Sequence, residues 1–222
     1  MDNELFLDRT DAGRRLAERL LKYESKGAVV LAIPRGGVPV GLEVAKRLKA
    51  QLDVVVPRKI PIPWNPEAGF GAITADGTTV LNERMVRSLG LEEEEIEQAA
   101  EEVRQEIVRR TREYRGDRPH PNIQGRPVIL VDDGLASGYT MLAAIGSLRK
   151  YSPSSIIVAV PVASNGAARV VRPQADKLVA LVVSHRLPFA VANAYVRWRD
   201  LTDADVLGYL RQAEDAGMVR VT

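Results

Sequence analysis

Five short apolar runs occur along the chain, and each has the length and β-branched character of a buried strand. The runs are Ala28–Ile33, Leu52–Val56, Val128–Val131, Ile156–Val160 and Leu178–Val183. Their apolar residues are nearly continuous rather than alternating with polar ones, which is typical of strands buried on both faces. The pattern therefore predicts a mostly parallel sheet of about five strands.

Segments with apolar residues at helical spacing separate these runs. Predicted helices cover Asp11–Lys22, Val40–Leu48, Leu91–Tyr114, Thr140–Leu148, a segment opened by Ser164-Asn165, and Asp203–Ala213. Alternation of strands and helices predicts an α/β fold with one doubly wound sheet and flanking helices. No repeat or linker divides the sequence, so residues 1–222 are interpreted as a single domain.

The segment Pro57–Ala75 breaks this alternation. It contains four prolines and two glycines, which favour a long loop of functional importance. Asp76-Gly77 follows it and predicts a hairpin turn between Ala72–Ala75 and Thr78–Leu81.

Composition narrows the possible chemistry. The chain has no cysteine and two histidines, which excludes a disulfide framework, a cysteine nucleophile and a histidine-rich metal site. The net charge is +2, and basic residues are scattered among acids, so a nucleic-acid partner is not indicated. The acidic N-terminus is unlike a signal peptide, and every apolar run is far shorter than the ~20 residues of a membrane span. We therefore expect a cytosolic protein.

The strongest chemical signal follows the third apolar run. Asp132 and Asp133 come directly after it, and the small-residue segment Gly134–Thr140 leads into the next predicted helix. Ligands of open α/β sheets bind beyond the carboxyl ends of the strands, and a helix start favours anions. The two carboxylates would repel a phosphate, so they suit sugar hydroxyls or a hydrated cation.

This loop therefore offers an anion pocket beside a diol pocket, a combination that ribose 5-phosphate requires. The alternative is a plain turn in which Asp-Asp-Gly reverses the chain and Ser137 caps a helix. The full run Val128–Thr140 favours ligand binding over that alternative. It is not a Walker A loop, because the Gly-Lys-Ser/Thr sequence is absent.

The run Val128–Thr140 resembles the phosphoribosyl pyrophosphate signature of type I phosphoribosyltransferases, although Gly134 stands where the family usually has an apolar residue. Ile33–Gly37 is similar to the pyrophosphate loop of xanthine-guanine members, and Arg58-Lys59 resembles the Arg-Lys pair of adenine and orotate members. The family's mobile loop corresponds to Pro57–Ala75, and its base-side loop corresponds to Val160–Ser164. Its closing stretch corresponds to the segment that contains Pro188–Val191 and Thr202-Asp203. The closing stretch resembles uncharacterised bacterial and archaeal members.

The resemblance implies the type I phosphoribosyltransferase fold, with a mobile hairpin insertion, a small hood and a homodimer. It implies a site for phosphoribosyl pyrophosphate with bound Mg²⁺. The implied substrate-binding residues are Arg35, Gly36, Gly37, Arg58, Lys59, Asp132, Asp133, Gly134, Leu135, Ala136, Ser137, Gly138, Tyr139, Thr140 and Phe189. The implied catalytic residues are Asp132, Asp133, Lys59 and Glu67, with Asp133 also a metal ligand. Family loops of the Arg-Gly-Gly type also predict a cis peptide between Pro34 and Arg35.

The acceptor side of the site is less defined by sequence. Members that act on hypoxanthine or guanine carry an acid where this chain has Ala136, so the resemblance implies a different acceptor. Glu67, the only acid of the proline-rich segment, is the candidate general base, and a loop carboxylate in solvent is the alternative. Trp64, Phe70 and Phe189 could stack on a flat acceptor, with core packing as the alternative for Phe189.

These features predict a transferase that moves the 5-phosphoribosyl group from phosphoribosyl pyrophosphate to a nitrogenous acceptor, with a nucleobase as first choice. The alternative is a non-catalytic protein that senses phosphoribosyl pyrophosphate and regulates, for example by binding RNA. A hydrolase or phosphorylase of ribose phosphates is a third possibility.

Overall fold

The computed structural model describes residues 6–219, apart from the side chain of Glu67. The strands in chain order are β1 (Val29–Ala32), β2 (Gln51–Val54), β3 (Arg58–Ile62), β4 (Asn65–Ile73), β5 (Thr79–Leu81), β6 (Pro127–Val131), β7 (Ser155–Ser164) and β8 (Lys177–Ser184). The helices are α1 (Arg9–Glu18), α2 (Gly37–Leu48), α3 (Glu83–Leu89), α4 (Glu93–Arg115), α5 (Tyr139–Arg149), α6 (Asn165–Val171) and α7 (Asp203–Asp215). No helix within residues 6–219 combines the length and apolar character needed to cross a membrane.

Five parallel strands form the central sheet in the order β2-β1-β6-β7-β8. Successive residues of β1 point to opposite faces, as expected for a strand. Val30 and Ala32 join a core layer with α1, α2 and α7, while Val29 and Leu31 join one with α5 and α6. Both faces of the sheet are therefore covered by helices, which confirms the predicted α/β fold and its five strands.

A second, antiparallel sheet of three strands, in the order β3-β4-β5, follows β2. The interpretation of 57–75 as a long loop is therefore wrong. Ile60 and Phe70 are fully buried beneath this sheet, which leaves Phe70 unable to stack on a substrate. Pro61 is tolerated because β3 is an edge strand, and the strand register shifts at this residue. The predicted turn at Asp76-Gly77 is confirmed, with Gly77 at φ +80°.

The segment after β8 folds back over the carboxyl ends of the central strands. It contains a 3₁₀ turn at Val191–Ala194, after which Tyr195 pairs with Phe6 near the start of the described chain. Phe6 and Tyr195 belong to a small apolar cluster, against which Phe189 and Val191 also pack. The segment 188–200, called the hood below, is thus held against the start of the described chain and against the main sheet.

Candidate functional site

Two neighbouring loops form the candidate site at the carboxyl edge of the central sheet. β1 and β6 pair in parallel with Ala32 opposite Val131, so the loops that follow them lie side by side. A Cβ atom at Gly36 would lie 1.8 Å from Oδ2 of Asp133, and one at Gly37 would lie 2.7 Å from the Val131 carbonyl oxygen. Both glycines are therefore required by the close approach of the two loops. The predicted cis peptide between Pro34 and Arg35 is confirmed in the first loop.

Asp132 and Asp133 form an acid pair directly after β6. The backbone N–H of Asp133 donates to Oδ1 of Asp132 at 2.8 Å. Burial raises the pKa of Asp132 well above its ordinary value, and the negative charge of Asp133 raises it further. Burial also raises the pKa of Asp133, against the opposing charge of Arg9. Such a pair favours ligands that donate hydrogen bonds or carry positive charge.

Arg9, the first residue of α1, is an unpredicted member of the site. Its Nε donates to Oδ2 of Asp133 at 2.7 Å, and its Nη1 donates to the carbonyl oxygen of Arg199 at 2.9 Å. The guanidinium lies 3.8 Å from the ring centroid of Trp198, and Arg9 is only 8% exposed. Sequence patterns gave no signal for Arg9, because the predicted helix begins at Asp11 whereas α1 begins at Arg9.

Tyr195 was also missed by sequence reasoning. Its hydroxyl donates to the carbonyl oxygen of Asp133 at 2.6 Å, and burial raises the pKa of Tyr195, which keeps the phenol a neutral donor. Arg9 and Tyr195 thus hold Asp133 from the N-terminal helix and from the hood, two elements at opposite ends of the chain.

The small-residue loop after the acid pair leads into α5 as predicted. Ala136 and Ser137 are exposed, and Gly138 precedes the helix at φ +87°, a left-handed conformation that favours glycine. No described side chain caps the start of α5, so its first N–H groups remain free for an anion. Tyr139 and Thr140 are half-buried in the first helical turn.

Ser164 supports this loop from β7. Its hydroxyl donates to the carbonyl oxygen of Ala136 at 2.7 Å and accepts the N–H of Ala167 at 3.0 Å, which caps α6. The sequence placed Ser164 at a helix start, but its contact with the loop depends on how β6 and β7 pair.

Leu135 and Gly134 make structural contacts beside the site. Leu135 is buried, and its N–H and carbonyl groups both bond to β7, at Val162 and Ser164. This corrects its prediction as a substrate-binding residue, because neither its side chain nor its polar backbone atoms remain available. At Gly134 a Cβ atom would lie 2.6 Å from the side chain of Val191. The hood therefore fills the space that a larger residue would occupy there.

The Arg-Lys pair separates onto the two faces of β3. Nη1 of Arg58 donates to Oε1 of Glu106 in α4 at 2.9 Å. The stem of Lys59 covers Gly69, where a Cβ atom would lie 2.5 Å from Lys59 Cγ. Adjacent strand residues point to opposite faces, so one face cannot hold both cations. The substrate-binding roles assigned to Arg58 and Lys59 stay predictions.

The remaining predicted residues are placed as follows. Nη1 of Arg35 lies 3.8 Å from Oδ1 of Asp203 at the start of α7. Phe189 is partly buried against the hood cluster. The side chain of Glu67 lies outside the described residues, so its role as general base stays a prediction.

The metal chemistry of the site is limited to the acid pair. Within residues 6–219 no group of three or more histidines, aspartates or glutamates is placed to hold a metal ion. Mg²⁺ often takes only one or two protein carboxylates and completes its shell with water and substrate phosphates. Asp132 and Asp133 therefore fit a Mg²⁺ ion that arrives with a phosphorylated substrate, and not a closed resident metal site.

A parallel sheet with an acid pair and an uncapped helix at one strand end defines a nucleotide- or sugar-phosphate-binding α/β protein. The model of the phosphoribosyl transferase domain matches residues 75–190. The chain therefore belongs to the phosphoribosyl transferase domain family, and its sheet has the type I fold, as the sequence resemblance predicted. Arg35 and Arg58 precede residue 75 in the sequence and therefore lie outside the matched segment.

The chain is also similar to individual proteins. The crystal structure of TT1426 from Thermus thermophilus is 40% identical, with a TM-score of 0.77 over 93% of this chain and 98% of that chain. A protein of Mycobacterium tuberculosis, provisionally named a phosphoribosyl transferase, is 40% identical over 95% of this chain. The chain spans about half the length of that relative, since the match covers 47% of it. A Neisseria gonorrhoeae protein with bound ppGpp is 16% identical with a TM-score of 0.50 over 94% of this chain and 92% of that chain, which shows a shared fold alone.

Proposed function

We propose that this protein transfers the 5-phosphoribosyl group of phosphoribosyl pyrophosphate to a nitrogenous acceptor, with release of pyrophosphate. The observation that carries the proposal is the acid pair of β6 next to the uncapped start of α5. These two features offer adjacent places for the two halves of ribose 5-phosphate, its hydroxyls and its phosphate. Family membership supports the sugar donor and leaves the acceptor open.

The donor's ribose phosphate would lie across the loop after β6. The 5′-phosphate accepts hydrogen bonds from the N–H groups of Ala136–Thr140 and from the hydroxyls of Ser137 and Thr140. The ribose hydroxyls donate to Asp132 and Asp133. The Ser164 hydroxyl bonds to the Ala136 carbonyl oxygen and so holds the loop in place. The backbone N–H groups of the loop would therefore keep their direction when the ligand binds.

The leaving pyrophosphate would lie towards Arg35 and Arg58. Guanidinium groups bind phosphate oxygens bidentately, and both side chains are about one-third exposed, at 38% and 36%. Gly36 and Gly37 allow the first loop to lie close to the acid pair, which brings the pyrophosphate side next to the ribose side. Lys59 lies next to Arg58 on β3 with its stem over Gly69, and we keep it as a catalytic proposal.

The reaction breaks the bond between ribose C1 and the pyrophosphate oxygen and forms one between C1 and the acceptor nitrogen, with inversion. The electron pair leaves with pyrophosphate, positive charge develops at C1, and the acceptor's proton passes to a base, for which Glu67 is the candidate. Holding both reactants in line and stabilising the departing charge supply most of the rate. Mg²⁺ bound with the donor, with Asp133 as its proposed protein ligand, would neutralise part of the pyrophosphate charge.

The acceptor would lie on the hood side of the loop, near Phe189. Ala136 offers no carboxylate to a purine ring nitrogen, so we propose an acceptor other than hypoxanthine or guanine. A homodimer in the cytosol is part of the same proposal, and light scattering of the purified protein tests the dimer.

Pyrophosphate release from phosphoribosyl pyrophosphate and Mg²⁺, measured with a panel of nucleobases, tests this function. We expect release with at least one base, and strongly reduced release in the Asp132→Asn variant. If no base supports pyrophosphate release, calorimetry with phosphoribosyl pyrophosphate alone shows whether the protein binds this donor. Binding without turnover on any acceptor would favour the sensor alternative, and absence of binding would refute the proposed function.

A further inference from the structure

Two carboxylates near the first loop, Glu106 and Asp203, are each surrounded by arginines. Oε1 of Glu106 accepts from Nη1 of Arg58 at 2.9 Å and from Nε of Arg110 at 2.8 Å. Oδ1 of Asp203 lies 3.8 Å from Nη1 of Arg35 and 3.9 Å from Nη1 of Arg110. Arg110 is thus shared by both carboxylates and connects the other two arginines into one cluster.

The cluster is assembled from four separate parts of the chain. Arg35 comes from the loop after β1, Arg58 from β3, Arg110 from the inner side of α4, and Asp203 from the start of α7. Only 18% of the Arg110 side chain is exposed, so this guanidinium is directed into the cluster and not into solvent. In the sequence, Glu106 and Arg110 form only an i,i+4 pair, which is ordinary on an exposed helix.

Three guanidinium groups this close repel one another. Burial lowers the pKa of Arg58, and the positive charges of Arg110 and Arg35 lower it further, which reflects this crowding. Oδ1 of Asp203 offsets part of the repulsion, and the Tyr114 hydroxyl donates to the same oxygen. Arg35 and Arg110 lie nearly 4 Å from Oδ1 of Asp203. These contacts are looser than the bidentate pair that an arginine forms with a phosphate.

We propose that Arg110 completes a three-arginine subsite for the leaving pyrophosphate, and that Asp203 occupies this subsite when pyrophosphate is absent. The inference rests on the proposed function and adds a residue and a competitor to it. Pyrophosphate carries several negative charges and six terminal oxygens, so it can engage three guanidinium groups at once, whereas one carboxylate cannot. Donor binding would displace Asp203, and Asp203 would return when pyrophosphate leaves.

Isothermal calorimetry with three probes at a fixed Mg²⁺ concentration tests this subsite. The probes are inorganic pyrophosphate, phosphoribosyl pyrophosphate, and ribose 5-phosphate, which lacks the pyrophosphate group. In Arg110→Met we expect about ten- to hundredfold weaker binding of the first two probes, as for a lost charged hydrogen bond, and unchanged binding of ribose 5-phosphate. Arg110→Lys keeps the charge without the planar fork and should give an intermediate loss.

Arg109→Met is the matched control. Arg109 is the next residue of α4 and also bonds to Glu106, at 2.8 Å, but 57% of its side chain is exposed. Its loss should leave binding of all three probes within about twofold. If Arg110→Met and Arg109→Met behave alike while the unmodified protein binds phosphoribosyl pyrophosphate, the inference is refuted and the proposed function stands. If the unmodified protein binds neither sugar phosphate, the proposed function itself fails, and the inference with it.

Asp203→Asn tests the competition separately and does not depend on the folding of an arginine variant. The helix cap of α7 is formed by Thr202 and Asp205, so it survives this change. We expect inorganic pyrophosphate to bind severalfold more tightly, because a competing charge has been removed. Unchanged or weaker binding would mean that Asp203 only orients the arginines, and would overturn its assigned role.

Discussion

Nε of Arg9 lies 2.7 Å from Oδ2 of Asp133, although 124 positions separate the two residues in sequence. Their side chains are 9% and 14% exposed, so the ion pair is largely shielded from water. The contact places a cation from α1 against the acid that we assign to the ribose and to Mg²⁺. The stability of the loop after β6 and its affinity for ligand should therefore depend on Arg9, which is far from that loop in sequence.

Arg9→Met should lower the free energy of unfolding by about 3–5 kcal/mol, because it leaves a buried carboxylate without its partner. Arg14→Met is the matched control: it removes an arginine of the same helix that is 70% exposed and pairs with Glu43. The control should change stability by less than about 1 kcal/mol. Urea denaturation measures both variants, and equal losses in the two would contradict a special role for Arg9.

Asp132→Asn should weaken binding of phosphoribosyl pyrophosphate about tenfold or more while the fold persists. A ribose hydroxyl would lose one charge-assisted hydrogen bond, worth ~1.5–3 kcal/mol. We choose Asp132 within the acid pair because a change at Asp133 would also remove the ion pair with Arg9. Calorimetry measures the affinity, and a thermal melt of the same sample checks the fold. Unchanged affinity in a folded variant would remove the acid pair from the donor site.

Ser164→Ala should both destabilise the protein and weaken binding of ribose 5-phosphate. The variant loses the cap of α6 and leaves the Ala136 carbonyl without its hydroxyl donor, at a cost of about 1–2 kcal/mol. Ser88→Ala removes an exposed hydroxyl that bonds only within α3 and serves as control. Thermal denaturation and ribose 5-phosphate calorimetry check the two effects. A loss of stability without a loss of affinity would separate Ser164 from the site.

Glu67→Gln should lower kcat by ~10²–10⁴ on the best acceptor, the usual contribution of a general acid or base, with little change in donor affinity. Glu83→Gln, a change to an exposed acid of α3, should leave kcat unaltered. Hypoxanthine and guanine should give negligible turnover in the unmodified protein because Ala136 carries no carboxylate. Full activity of Glu67→Gln would strengthen the sensor alternative, and robust turnover of either purine would contradict our interpretation of Ala136.

Hydrogen exchange should divide the hairpin of β3 and β4 into two parts. Amides near the paired positions Arg58–Ile73 and Lys59–Ala72 should be protected, because Ile60 and Phe70 bury this end. The tip around Trp64, which is 60% exposed, should exchange rapidly and gain protection when phosphoribosyl pyrophosphate binds. Equal protection at both ends without ligand would argue against a closing movement.

Sequence patterns were sufficient to predict the strands of the central sheet and the loop that follows β6. Buried parallel strands appear as continuous apolar runs, and the segment from Asp132 to Thr140 carries its acids, glycines and hydroxyls within nine consecutive positions. The same local logic failed at β3 and β4. There Pro61 and the glycines of β4 favour a loop when the sequence is considered locally. The two segments form strands because they pair with each other and pack on α4.

The sequence by itself therefore determined the fold class, the acid pair and the small-residue loop that follows it, because each is encoded in local patterns along the chain. Only the tertiary structure decided which charges meet there. Arg9 reaches Asp133, and Arg110 reaches Asp203, through the packing of elements that are remote in sequence. An arginine near an acid along the chain is common, and its partner in space depends on long-range packing that no local pattern specifies.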